Sequence, residues 1–170
     1  EGRMLKALMG IDFGQLSEQQ QVDLLRAFEL TLSRMGQPGA AEKAQLIAYL
    51  DAKYPAATNE LNRLFSKVLV FVDDPQVVSK TMALIETSKD DDAGQKTATP
   101  SSDLILRNQQ YGMAVANMLA KQPPAQQIYL ATVLSEAKNG WTPAMREKYF
   151  KLFYTFLERK GGNRARKSVV

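Results

Sequence analysis

Apolar residues recur every three to four positions along most of the chain, and capping or helix-breaking residues punctuate the runs. "GRMLKALMGI" predicts a short first helix. Ser17 then stands three residues ahead of Gln20, the spacing of a capping box, and opens a helix with Val22, Leu25, Phe28, Leu32 and Met35 on one stripe. Gly36 and Pro38 close it. "AAEKAQLIAYLDAKY" predicts the next helix, ended by Pro55. Thr58 or Asn59 caps a fourth, whose Leu61, Leu64, Phe65, Val68, Leu69 and Val72 form a broad apolar face. "KVLVFV" within it is rich in β-branched residues, but helical spacing on both sides and the restart at Asp74-Pro75 favour a helix. Val77, Val78, Thr81, Met82 and Ile85 carry the pattern onward from there.

Between Ser88 and Ser102 the pattern stops. "SKDDDAGQKTATPS" has no apolar period and predicts a flexible polar connection or loop, the best candidate for a boundary. Helix resumes at Asp103, runs through Tyr111, Met113, Met118 and Leu119, and breaks at Gln122-Pro123-Pro124. "AQQIYLATVLSEAK" is helical again. Asn139-Gly140 offers a helix C-cap, Thr142 an N-cap and Pro143 a first helical residue. Tyr149, Phe150, Phe153, Phe156 and Leu157 then recur at helical spacing until Gly161-Gly162.

The expected fold class is all-α, with about seven or eight helices on short connections and no strand. Capped helices that turn back on short loops, each with one broad apolar face, suggest antiparallel pairs stacked as a short HEAT-like α-solenoid. A closed helical bundle is the alternative. The divisions are residues 1–87 and 103–163 as two sets of helical repeats, 88–102 as linker, and 164–170 as a basic tail.

Composition narrows the chemistry. At 170 residues the chain is the size of one domain and can bury a core. It contains no cysteine and no histidine, which removes thiol nucleophiles, structural zinc, iron–sulfur and covalent haem ligation, and imidazole acid–base catalysis. No apolar run reaches the roughly 18 residues a spanning helix needs. A start on Glu1, without a leader pattern, suggests a piece of something larger. The net charge of +4 is concentrated at the end, where eight Lys or Arg face two Glu after Thr142. Without aromatic interleaving or a groove-reading helix, this reads as a solvated helix end and tail rather than a nucleic-acid site.

Each candidate for chemistry has a plainer explanation. Asp90-Asp91-Asp92 lacks the spacing and turn glycine of a calcium loop. Asp73-Asp74, ahead of Pro75, suit a helix start better than paired acid–base catalysis. Gly161-Gly162 lacks the strand and helix of a phosphate-binding loop. Met113, Met118 and Met145 fit core filler better than soft metal ligands. Trp141, the only tryptophan, is placed to staple onto the first turn of the last helix near Arg146. The aromatic residues of that helix, Tyr154 included, cover more than one stripe, so both of its sides have something to bury. No catalytic constellation emerges, and no cofactor or metal is expected in this chain. An enzyme using carboxylates alone, through Asp73, Asp74 or Glu60, is the remaining catalytic option.

"GWTPAMREKYFKLFYTFLERKGGN" is similar to a segment of large bacterial haem-binding proteins of the planctomycete and verrucomicrobial type, through Gly140, Trp141, Thr142, Arg146, Tyr149, Phe150, Phe153, Lys160, Gly161, Gly162 and Asn163. Tyr54, Pro55, Glu60, Leu61, Asn62 and Arg63 resemble a second stretch of that family, and the resemblance extends over most of the chain. One departure is that Asn163 runs directly into "RARKSVV", where the family continues with Ser-Phe and a further apolar turn. The resemblance implies the HEAT-like middle of an exported mosaic protein, between a sugar-dehydrogenase-like propeller and a cytochrome c domain that carries its own haem. Under it the chain is a non-catalytic scaffold that spaces or docks those domains, outside the cytoplasm, with no membrane span and no nucleic-acid partner. The partners are then other domains of the same polypeptide or a partner protein. Trp141, Arg146, Tyr149, Phe153, Tyr54 and Arg63 are the interface candidates. A free-standing protein-binding adaptor with no redox connection is the alternative.

Overall fold

The computed structural model describes residues 2–89 and 124–159. They form α1 (Gly2–Met9), a 3-10 turn (Phe13–Gln15), α2 (Glu18–Met35), α3 (Ala40–Asp51), α4 (Asn59–Phe71), α5 (Val77–Thr87), α6 (Ala125–Leu134) and α7 (Pro143–Arg159), with no strand among the described residues. The all-α expectation is met, and "KVLVFV" is helical through Phe71.

Side-chain caps set the starts of α2, α4 and α7. The Ser17 capping box forms in both directions, Gln20 N–H donating to Ser17 Oγ and Ser17 N–H to Gln20 Oε1. Thr58 caps α4 by accepting from Leu61 N–H at 3.4 Å, and Thr142 caps α7 by accepting from Met145 N–H at 3.2 Å. α2 ends at Gly36, which has φ 78° and donates to Leu32 O.

Three boundaries differ from the expectation. α3 stops at Asp51 rather than at Tyr54: Lys53 N–H bonds to Leu50 O and Tyr54 N–H to Asp51 O in a tighter turn, ahead of Pro55. α5 begins at Val77, after a turn in which Asp73 takes φ 53° and Asp74 Oδ1 accepts from Gln76 N–H at 3.1 Å. Gly140 does not cap α6, which ends at Leu134; its left-handed φ of 81° serves the approach to α7. The polar 88–102 connection, the helix from Asp103, Asp90-Asp91-Asp92, Met113, Met118, Gly161-Gly162 and the 164–170 tail lie outside the described residues, except Ser88 and Lys89. Those two are anchored: Ser88 Oγ donates to Leu84 O, Gln127 Nε2 to Ser88 O, and Asn59 Nδ2 to Lys89 O.

Contacts between helices ascend in step. Arg26 pairs with Glu60, Glu29 with Lys67, and Gln37 Nε2 donates to Phe71 O, so α2 and α4 run the same way. On the next pair Lys43 meets Asp73, Asp51 meets Lys80, and Tyr54 Oη shares a hydrogen bond with Thr81 Oγ1 at 2.7 Å, so α3 runs with α5. α6 continues this beside α4, through Gln126 on Arg63 and Asn59 O. α7 does so beside α5, with Gly140 against Pro75 and Lys148 paired to Glu86. α4 packs on α2, α3, α5 and α6 and is the centre of the fold. Its Phe65 and Leu69, fully enclosed, meet Leu25 and Phe28 of α2, Leu46 and Leu50 of α3, Val78 and Ile85 of α5, and Leu130 and Leu134 of α6 in one continuous core.

Candidate functional site

The residues that mark the two resembling stretches carry internal contacts. Asn62 is buried and grips the connection before α4: its Oδ1 accepts from Ala56 N–H at 2.7 Å and its Nδ2 donates to Ala56 O at 2.9 Å. Glu60 pairs with Arg26 on the surface, and Leu61 is buried. Tyr54 is 3% exposed, with its ring against Phe65 and its hydroxyl on Thr81. Burial pushes its hydroxyl well above the ordinary tyrosine pKa. Arg63 is half-buried; its Nε donates to Gln126 Oε1 at 2.6 Å and its guanidinium lies over the Tyr129 ring, 5.2 Å from the centroid.

α7 divides by face. Tyr149, 8% exposed, donates its hydroxyl to Ala131 O of α6 at 2.7 Å, and burial raises its pKa. The half-buried Trp141 closes over it edge-on, ring centroids 5.1 Å apart and planes at 64°, while Trp141 Nε1 donates to Ala137 O. Phe153 stands edge-on to both Tyr149 and Phe156, and Phe156 is buried. Tyr149 ties this row to α6. On the other side Phe150 is 63% and Tyr154 71% exposed, beside Phe153 at 37% and the exposed Arg146. Lys151 pairs with Glu147 one turn away and Lys148 with Glu86 of α5, so part of the charge on this helix is matched locally.

Of the six interface candidates, Tyr54 and Tyr149 therefore lie in the core, Trp141 and Arg63 at internal helix contacts, and Arg146 and Phe153 on the surface. The structure brings Trp141, Tyr149 and Phe153 together and leaves Tyr54 and Arg63 around α4. The six leave out Phe150 and Tyr154, the two most exposed aromatic side chains among the described residues. Their signal was present in the sequence: four residues apart, they share one stripe of the helix, and the Phe150 ring also meets that of Tyr149 edge-on with centroids 5.9 Å apart.

No helix among the described residues is long and apolar enough to cross a membrane, and no group of three or more Asp, Glu, His or Cys among them is arranged to hold a metal ion. Asp73 is paired with Lys43 and Glu60 with Arg26, while Asp74 is enclosed at 1% exposure. An open groove between α2 and α4 is lined by Leu32, Ser33, Val68 and Phe71 with the Glu29–Lys67 pair. Among the described residues, Tyr154 and Phe150 on the outer stripe of α7 are the most exposed of the large hydrophobic side chains, ahead of Met4 and Leu30. Comparisons with family models, curated proteins and solved structures found no match to the chain.

Proposed function

We propose that this chain is a non-catalytic helical scaffold, built as a short α-solenoid, that holds another protein domain against the outer face of α7. The observation that carries the reading is the division of α7: on one stripe Tyr149 is bonded to Ala131 O of α6 and Phe156 is buried, while Phe150 and Tyr154 stand in solvent. Large exposed aromatic side chains grouped on a rigid helix are the composition of an interface centre rather than of an ordinary surface. The solenoid reading is supported by same-direction neighbours two helices apart, α2 with α4 and α3 with α5, which is how successive repeats stack.

In its most specific form, the docked domains are the dehydrogenase-like and cytochrome c parts of one extracytoplasmic redox protein, with haem c held by the attached domain and not by this chain. That form rests on the sequence resemblance alone. The intact denatured mass of the natural gene product tests it. A mass several times the 18.9 kDa of this chain, with covalent haem in the remainder, is the expected result. A mass near 18.9 kDa overturns the redox form and leaves a free-standing adaptor with a separate partner.

A further inference from the structure

The turn between α4 and α5 buries a carboxyl group that its neighbours satisfy only in part. Asp74 is 1% exposed. Its Oδ1 accepts from Gln76 N–H, but Oδ2 is buried without a hydrogen-bond partner. Leaving an acceptor in that state is costly, and more so for an ionised one. The acidic neighbour that acts on it is Asp51, at the end of α3. Lys80 of α5 is the nearby cation, but its ammonium is committed to Asp51 Oδ1 at 2.7 Å, Asp51 O at 2.8 Å and Tyr54 O at 3.2 Å. An ammonium has three donors, so none remains for Asp74. Lys43 is paired with Asp73 at 2.8 Å. Two neighbouring ionised carboxylates only accept and repel; a hydrogen bond between them forms when one of them carries a proton.

We propose that Asp74 keeps a proton on Oδ2 and donates it to the Asp51 carboxylate, latching the α4–α5 turn to the end of α3 by a single titratable hydrogen bond. Burial raises the Asp74 pKa above the ordinary carboxylate value and the Asp51 charge raises it further, against the opposing pull of Gln76 N–H and Lys80. The latched turn is also the seat of the α6–α7 connection. At Gly140 an added Cβ would lie 2.5 Å from Pro75 O, so the two backbones touch one residue from Asp74. Ionisation of Asp74 therefore loosens the support beneath Trp141 and the start of α7.

The sign follows from a folded pKa above the unfolded one. The stabilisation is full below about pH 4, the unfolded value, and is lost as pH rises through the folded value. The chain has no histidine and no cysteine, so no ordinary side chain titrates from about pH 5.5 to 7.5 and the background is flat. Urea unfolding of the whole chain, with wild type and Asp74→Asn compared from pH 4.5 to 7.5, tests the latch. The asparagine amide donates to Asp51 without titrating. The wild-type midpoint is expected to fall relative to that of Asp74→Asn as pH rises, by about tenfold in the unfolding constant for each unit that folding adds to the pKa. Trp141 emission of native wild type should drift over the same range, and that of Asp74→Asn should not. Midpoints that run parallel across the range overturn the proposal. Should Asp74→Asn not fold, a carbon-13 titration of the wild-type Asp74 carboxyl decides: a midpoint above the ordinary aspartate value sustains the latch, and one at or below it overturns it.

Discussion

The Nε of Arg63 on α4 donates to the side-chain oxygen of Gln126 on α6 at 2.6 Å, and Gln126 has no exposed surface. Gln126 also donates to Asn59 O at 3.3 Å, so one glutamine side chain bridges the first turn of α4 from both ends of its amide. The two residues are 63 positions apart, and their bond ties α6 to α4, beside the bonds of Gln127 to Ile85 O and Ser88 O that tie α6 to α5. A charge-assisted bond to a buried amide is stronger than a neutral one and cannot be reproduced by an apolar side chain.

Gln126→Ala should therefore lower stability by about 2–4 kcal/mol, since it opens a cavity and strands part of the Arg63 guanidinium. Arg63→Ala should cost less, because Arg63 is only half-buried. A double-mutant cycle in urea should give a coupling energy of about 0.5–3 kcal/mol; additive single effects would show that the bond does not hold α6 to α4.

The two faces of α7 should respond oppositely. Tyr149→Phe removes a buried hydroxyl from Ala131 O and is expected to cost about 1–2 kcal/mol in chemical denaturation. Phe150→Ser and Tyr154→Ser replace exposed rings and should stay within about 0.5 kcal/mol of wild type. A large loss from either serine variant would mean that the outer stripe serves the fold and not a partner.

Gly140→Ala meets two obstacles, a φ of 81° and a backbone oxygen 2.5 Å from the new Cβ. The expected cost is about 1–3 kcal/mol for the conformation, with the clash added, read as a lowered melting temperature. An alanine variant as stable as wild type would place the α6–α7 connection elsewhere.

Asn62→Ala deprives both Ala56 N–H and Ala56 O of their partner. A loss of about 2–6 kcal/mol is expected, at about 1–3 for each group left unmade. Proteolytic cleavage should rise within residues 52–58, the segment that Asn62 holds. A loss without new cleavage there would separate Asn62 from the loop it is assigned to hold.

The helices were legible because each carries its own signal: Ser17 with Gln20, Thr58 and Thr142 are local caps, and the Val22–Leu25–Phe28–Leu32 stripe is local periodicity. What periodicity does not encode is which helix lies beside which. The Arg63–Gln126, Asp51–Lys80 and Glu86–Lys148 pairs join polar residues distant in sequence, and none has a local pattern. The same gap affected the surface. Trp141 and Tyr149 stood out by residue type, but a large aromatic side chain is as much a core residue as an interface residue, and these two pack on each other while Tyr149 bonds to α6. Gly140 was legible as a left-handed glycine but not in its purpose, which depends on Pro75, 65 positions earlier.

The central claim is that the outer stripe of α7 docks another protein domain. Hydroxyl-radical footprinting tests it most directly, comparing this chain alone with the natural gene product from its source cells. Phe150, Phe153 and Tyr154 should be oxidised several-fold less in the natural product, with Tyr149 and Tyr54 protected in both. Equal oxidation of Phe150 and Tyr154 in the two preparations would contradict the account.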